Sequence, residues 1–278
     1  MTEAPIGIFD SGYGGLTILR DIERRLPKYD YIYLGDNARA PYGTRSFDVV
    51  YDFTLACVRK LFSYGCNLVV LACNTASAKA LRTIQQNDLP HIDPDRRVLG
   101  VIRPTVESIG AYSHNGHIGI LATQGTVQSH SYSLEIAKLF PEMHVTEHPA
   151  PMWVPLVENG ESDGPGADYF VRKYVSNLLK TDPLIDLIVL ACTHYPLLYD
   201  KIRRYTPPHV RIMTQGETVA DALALYLDRH PDIECYCSKG SETRFLTSEN
   251  PRKFESLASI FMGRSVTAQR TDICVCGG

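Results

Sequence analysis

The chain has 278 residues and a mass of 31.0 kDa, room for one large α/β unit or two domains of ordinary size. With 44% hydrophobic and 21% charged residues it has a globular composition, which excludes wholesale disorder. A net charge of -3 and a pI near 6.3 argue against a nucleic acid or an anionic membrane as partner. The longest apolar runs, Leu68–Cys73 and Leu187–Cys192, have six residues, too few to span a bilayer. The opening Met-Thr-Glu-Ala-Pro lacks the basic and apolar regions of a secretory signal, so a cytoplasmic location is expected. Eight cysteines are too few for a disulfide scaffold and are expected to be thiols.

Short apolar strands alternate with amphipathic helices, the pattern of an α/β fold with mainly parallel strands. Ile6–Phe9 reads as a first strand, Leu16–Leu26 as a helix after a glycine-rich turn, and Tyr31–Leu34 as a second strand. The turn-rich stretch Gly35–Gly43 precedes a helix over Phe47–Ser63, a buried strand over Leu68–Ala72 and a helix over Ala76–Gln86. Asn87–Arg97, rich in Pro and Asp, reads as a crossing between domains. Further on, Pro196 suits the first position of a helix running to Arg204.

Two segments echo each other. The run ending in Leu71-Ala72-Cys73 returns 119 positions later as Leu190-Ala191-Cys192. Ile6-Gly7-Ile8 before Asp10-Ser11 returns 112 positions later as Ile118-Gly119-Ile120 before Ala122-Thr123. Nearly equal offsets predict two related halves, each presenting a cysteine where a strand ends and a helix begins. Functional groups collect at that junction in parallel sheets, and the free N–H groups and dipole of a helix start favour a thiolate. Asn74 and Thr75 read as cap residues of the helix after Cys73. Cys57 and Cys66, in or just after a helix, read as inert packing.

Two facing halves would aim one thiol at each side of a cleft. Inversion at a tetrahedral carbon needs that arrangement: one group removes a proton from one face while the other returns a proton to the opposite face. Asp10, His194 and Glu158, the last in a turn over Val154–Glu158, are candidates to hold or pass those protons. His194 alone has an ordinary pKa near neutrality. Each also has a plain structural use, Asp10 and His194 as caps and Glu158 as a solvated loop carboxylate.

Five motifs in order, Asp10–Leu16, Gly35-Asp36 with Pro41–Gly43, Ala72–Ala78, Val154–Glu158 and Cys192–Leu198, resemble the glutamate racemases of the aspartate/glutamate racemase family, and the likeness extends to Phe245–Ser248. The resemblance implies a cofactor-independent, metal-free racemase that interconverts L- and D-glutamate for peptidoglycan synthesis. It implies Cys73 and Cys192 as catalytic acid/bases, Asp10 assisting the first, and His194 and Glu158 the second. Asp10-Ser11, Tyr42-Gly43, Asn74-Thr75 and Thr193-His194 are implied as substrate contacts. It further implies a homodimer and two similar α/β domains, residues 1–99 with 210–278 and residues 100–209, with the active site in the cleft between them. The chain departs from the family pattern at Ala191, where glycine is usual, and at Arg103, where glutamate is usual.

Other readings compete. Gly12-Tyr13-Gly14-Gly15 followed by Asp36 could suggest a dinucleotide site, but Thr17 replaces the last fingerprint glycine and Asp10 would repel a pyrophosphate. Cys235 with Cys237, expected on a strand, and Cys274 with Cys276 on the tail could suggest zinc, at unusually short spacing. Aspartate is the nearest alternative substrate, a Cys192–His194 hydrolase the nearest alternative enzyme, and a ligand sensor without chemistry the non-catalytic alternative.

Overall fold

The computed structural model describes residues 2–274. Its strands, among the described residues, are β1 (Ile6–Asp10), β2 (Tyr31–Gly35), β3 (Leu68–Leu71), β4 (Arg97–Gly100), β5 (His117–Ala122), β6 (His144–Pro149), β7 (Leu187–Ala191), β8 (Arg211–Met213), β9 (Thr243–Thr247) and β10 (Ala268–Arg270). They form two sheets, in the orders β10-β9-β2-β1-β3-β4 and β6-β5-β7-β8. All pairings within them are parallel.

The echo in the sequence is an echo in topology. The order β2-β1-β3-β4 of the first sheet recurs as β6-β5-β7-β8 in the second. Even the register repeats, for Gly7 lies opposite Val69 as Gly119 lies opposite Ile188. The central strands are buried along their whole length because helices cover both faces. Helix α1 (Leu16–Arg25) buries Leu16, Ile18, Leu19 and Ile22 at helical spacing. Helix α2 (Phe47–Ser63) starts at Ser46, whose hydroxyl accepts from Val49 N–H at 3.5 Å. One apolar cluster runs from Ile6 and Tyr33 in the first half to Trp153 and Leu190 in the second, so the halves share a core.

Several expectations need correction. The helix read over Ala76–Gln86 begins two residues earlier, at Asn74, because Cys73 itself occupies the cap position. This first piece, α3 (Asn74–Lys79), is followed by short helical turns and a π segment at Ile84–Asp88 that carry the chain to Ile92. Asn87–Arg97 is therefore not the crossing between halves. It leads into β4, which pairs with β3 through the apolar Val98 and Leu99, and the chain leaves the first sheet only at Val101. The return also comes later than residue 210, since Arg211–Met213 pairs with β7 in the second sheet. Glu158 ends a helix, Trp153–Glu158, rather than a turn. A 3-10 turn at Tyr195–Leu198 precedes the helix Tyr199–Tyr205. Cys235 and Tyr236 form a turn after the helix Pro231–Glu234 and Cys237 makes an isolated bridge to Ala4, so no strand carries the pair.

Arg103 reaches Glu107 and Glu135 at 2.9 and 3.1 Å on the exposed side of the second half, where such pairs contribute little. Ala191 is fully buried and paired with Ala122, so its methyl belongs to the sheet interior beside Cys192. No helix among the described residues is long and apolar enough to cross a membrane.

The late strand β9 is seated against β2 by Asp30. Its carboxylate accepts from Ser238 Oγ at 2.6 Å, Gly240 N–H at 2.8 Å and Glu242 N–H at 3.0 Å. Burial opposes ionisation, but the three donors outweigh it and hold this carboxyl below its ordinary range. The stabilisation is thus present above the unfolded value of about 3.9 and is lost as pH falls through the lower folded value. Asp30→Asn should cost about 1 kcal/mol at neutral pH, with the deficit shrinking below about pH 4. Urea midpoints of both proteins across pH 2–7 check this; a deficit unchanged by acid would show that charge on Asp30 is irrelevant.

Candidate active site

The first thiol sits at the C-terminal edge of the first sheet. Cys73 keeps an extended backbone (φ -81°, ψ 122°) as the chain leaves β3, and its sulfur accepts from Ala76 N–H at 3.5 Å. The thiol points at Ser11 Oγ, 3.4 Å away. Asp10, at the end of β1, is 1% exposed and accepts from Gly12 N–H at 2.8 Å. Burial, followed by the neighbouring Asp10 charge, pushes the Cys73 thiol up to about 12, against the pull of Ser11 and Ala76. Burial also raises the Asp10 carboxyl, with the charge of His194 and the N–H groups of Gly12 and Gly15 opposing. Cys73 is therefore a protonated acid at neutral pH.

The second thiol has the opposite surroundings. Cys192 follows β7 directly, and His194 Nδ1 lies 3.9 Å from its sulfur. His194 Nε2 lies 2.9 Å from Glu158 Oε1. The ring meets Phe261 edge-on, 5.4 Å between centres. Burial alone would strip His194 of its proton, but Cys192 and Glu158 on either side hold its pKa up to about 10. It is an imidazolium at neutral pH, donating from both nitrogens.

The halves meet closely here. Thr17 Oγ1 of α1 donates to Thr193 O at 3.0 Å, and a Cβ on Gly14 would overlap Thr193 Oγ1 and His194 Nδ1. Glycine at position 14 lets the two backbones approach. Gly125 N–H donates to Gly43 O at 2.8 Å, a second main-chain contact across the seam.

Between the halves lies a cavity of about 450 Å³, its opening to solvent included. Asp10, Ser11, Tyr42, Gly43, Cys73, Asn74 and Thr75 line it from the first half. Glu158, Cys192, Thr193 and His194 line it from the second. Every site residue expected from the sequence is thus brought to one space, although not every side chain faces it freely. The Tyr42 hydroxyl donates to Asp36, which also accepts from Arg39 Nε at 2.6 Å and Ser248 Oγ at 2.8 Å. What that loop offers a ligand is its main chain. Asp36, fully buried and engaged, is not presented to a ribose, which removes the dinucleotide reading. The Asn74 carboxamide is bonded to Gln215 and Tyr132. No Lys or Arg lines the cavity, so an anionic ligand would be held by hydroxyls and backbone N–H groups.

Ala40, Pro41, Thr123 and Val154, none of them expected as a site residue although the last three fall in the motifs and the echo, also line the cavity. Thr123 was legible: the 112-residue echo sets it opposite Ser11. Its hydroxyl lies 3.0 Å from those of Thr75 and Thr126. The cysteines of the zinc reading lie elsewhere and diverge, Cys235 exposed and Cys237 buried, their sulfurs directed to Asp232 O and Ile233 O. Cys274 is exposed, and Cys276 lies outside the described residues.

A family model described as Asp/Glu/hydantoin racemase matches residues 6–222, a stretch that contains both thiols and their neighbours. The chain belongs to this racemase family. It is 38% identical over 272 residues to the glutamate racemase of Cereibacter sphaeroides, covering 94% of this chain and 98% of that one. A solved glutamate racemase isoform of Bacillus anthracis superimposes with a TM-score of 0.89 at 32% identity, over 98% of this chain and 99% of that one. The Francisella tularensis enzyme, solved with D-glutamate, gives 0.86 at 29% identity, over 99% of each chain. Likeness to a Picrophilus torridus aspartate racemase, at 16% identity and a TM-score of 0.51, extends to the fold alone.

In this racemase-family chain the charged state of His194 contributes to stability as well as to the site. Its folded pKa, about 10, exceeds the ordinary 6.5, so the contribution is full below about pH 6.5 and is lost as pH rises through about 10. Glu158→Gln should therefore destabilise the protein most near pH 6.5 and progressively less toward pH 10. Denaturation midpoints across that range test the pairing; a deficit growing with pH would reverse its sign.

Proposed function

We propose that this protein is a cofactor-independent glutamate racemase in which Cys73 and Cys192 serve as opposed acid/bases. The observation that carries this reading is that two thiols from two topologically equivalent strand ends line one small cavity. Glutamate rather than aspartate is favoured by relatives named glutamate racemase that align over nearly the whole chain.

The chemistry follows from the unequal surroundings. In one direction the Cys192 thiolate, beside the His194 imidazolium, takes the Cα proton. The electron pair delocalises into the α-carboxylate, and the Cys73 thiol delivers its proton to the opposite face. The Cα–H bond broken on one side is replaced by a Cα–H bond on the other, with no net redox change. The enzyme is left with a Cys73 thiolate and a Cys192 thiol, the state that accepts the other enantiomer. Asp10 manages the proton on the Cys73 side, while Glu158, a quarter exposed, connects His194 to solvent. Asp10-Ser11, Gly43, Thr75 and Thr193 hold the substrate carboxylates through hydroxyls and main-chain N–H groups. The same reading supplies D-glutamate for peptidoglycan from a cytoplasmic homodimer.

Cys192, His194 and Glu158 alone would resemble a hydrolase relay; Cys73 in the lining of the same cavity is what such an enzyme would not need. Incubation of L-glutamate in deuterated water should give D-glutamate carrying deuterium at Cα, faster than the same change in aspartate. Cys73→Ala and Cys192→Ala should each lower turnover in both directions by about 10²–10⁴-fold. Glutamate that keeps its α-proton and its optical rotation would sink the proposal, as would near-normal turnover by either variant.

A further inference from the structure

We infer that Gln215 is a positioning residue that ties the location of the Cys73 thiol to the two chain passages between the halves. This rests on the racemase reading above. Gln215 follows β8 at the point where the chain leaves the second sheet, and caps the helix Gly216–Arg229 that packs on α1. Its side chain is fully engaged. Gln215 Oε1 accepts from Asn74 Nδ2 at 2.6 Å, and Gln215 Nε2 donates to Thr105 Oγ1 and Tyr132 Oη, both at 2.8 Å. The Tyr132 hydroxyl in turn donates to Asn74 Oδ1 at 2.6 Å. Thr105 donates to Val101 O at 2.7 Å, in the passage by which the chain left the first sheet.

One carboxamide thus joins the outgoing passage, the returning passage, a helix of the second half and the residue next to Cys73. The four side chains are 0–3% exposed, so nothing from solvent can replace a missing bond. Asn74 is the first residue of the helix that Cys73 caps, and a shift of Asn74 carries the sulfur with it. Cys192 is held separately, through Thr17 and the Thr193 carbonyl. Loss of the Gln215 bonds should therefore misplace one thiol and spare the other. That asymmetry distinguishes positioning from general loosening.

The test uses full-length Gln215→Leu, of similar bulk without polar atoms, and Tyr132→Phe, which removes a single hydroxyl and keeps the test open should the leucine variant fail to fold. Because the enantiomers are equally stable, kcat/KM must change equally in both directions, so the informative readout is the primary isotope effect with α-deuterated L- and D-glutamate. Gln215→Leu should lower kcat about 100-fold, the scale of an ångström-sized misplacement, with little change in KM. The isotope effect should rise for the enantiomer that Cys73 deprotonates and fall for the other, and Tyr132→Phe should shift both in the same sense by less. Wild-type rates in both variants, or isotope effects that move together for the two enantiomers, would overturn the positioning role. A wild-type protein that does not racemise glutamate would instead overturn the functional reading.

Discussion

Ionisable groups buried at the seam between two sheets set the terms for the rest of this molecule. Asp10, Cys73, Cys192 and His194 are 1–6% exposed, and a charge in such a place must be matched by its surroundings. Each half supplies a different match. Around Asp10 it comes from the His194 charge and the backbone N–H groups of Gly12 and Gly15, and around His194 from the Cys192 sulfur and Glu158. The glycines, the short strand ends and the tight contact of Thr17 with Thr193 serve to bring those partners within reach.

The duplicated topology and the unequal electrostatics serve one task together. Equivalent strand ends supply the geometric symmetry that a mirror-image pair of substrates requires. Different neighbours set the two thiols apart, Cys73 beside Asp10 and Cys192 beside His194, as the proposed exchange of acid and base roles requires. A cavity without Lys or Arg also avoids a strong anchor that would hold either product.

Much of this was legible in the amino-acid order. The repeated apolar run ending in cysteine marks β3 and β7, the repeated Ile-Gly-Ile marks β1 and β5, and α2 matches its periodicity residue for residue. The candidate site was legible for the same reason, because parallel sheets concentrate chemistry at strand ends. What escaped depends on distance or on competition. Cys73 takes the cap position from Asn74 and Thr75, although both are better capping residues, because the chain must turn immediately after β3. β4 was hidden by the polar turn before it. Gln215 meets Asn74 across 141 positions, and no local pattern announces such a bond. The roles of Tyr42 and Asp36 also emerge only in three dimensions, where a motif that suggested side-chain recognition proves to hold a loop in shape.

The sulfur that caps its own helix has a consequence for how charge moves. When Cys73 surrenders its proton in the proposed reaction, the electrostatic complement is already in place as the Ala76 amide and the Ser11 hydroxyl. No counter-ion has to travel and no side chain has to swing. The hydroxyl need only rotate its hydrogen, so the reorganisation that accompanies ionisation in water is largely absent. In the proposed reaction, which makes and unmakes this anion on every turnover, such a fixed environment lowers the cost of each ionisation.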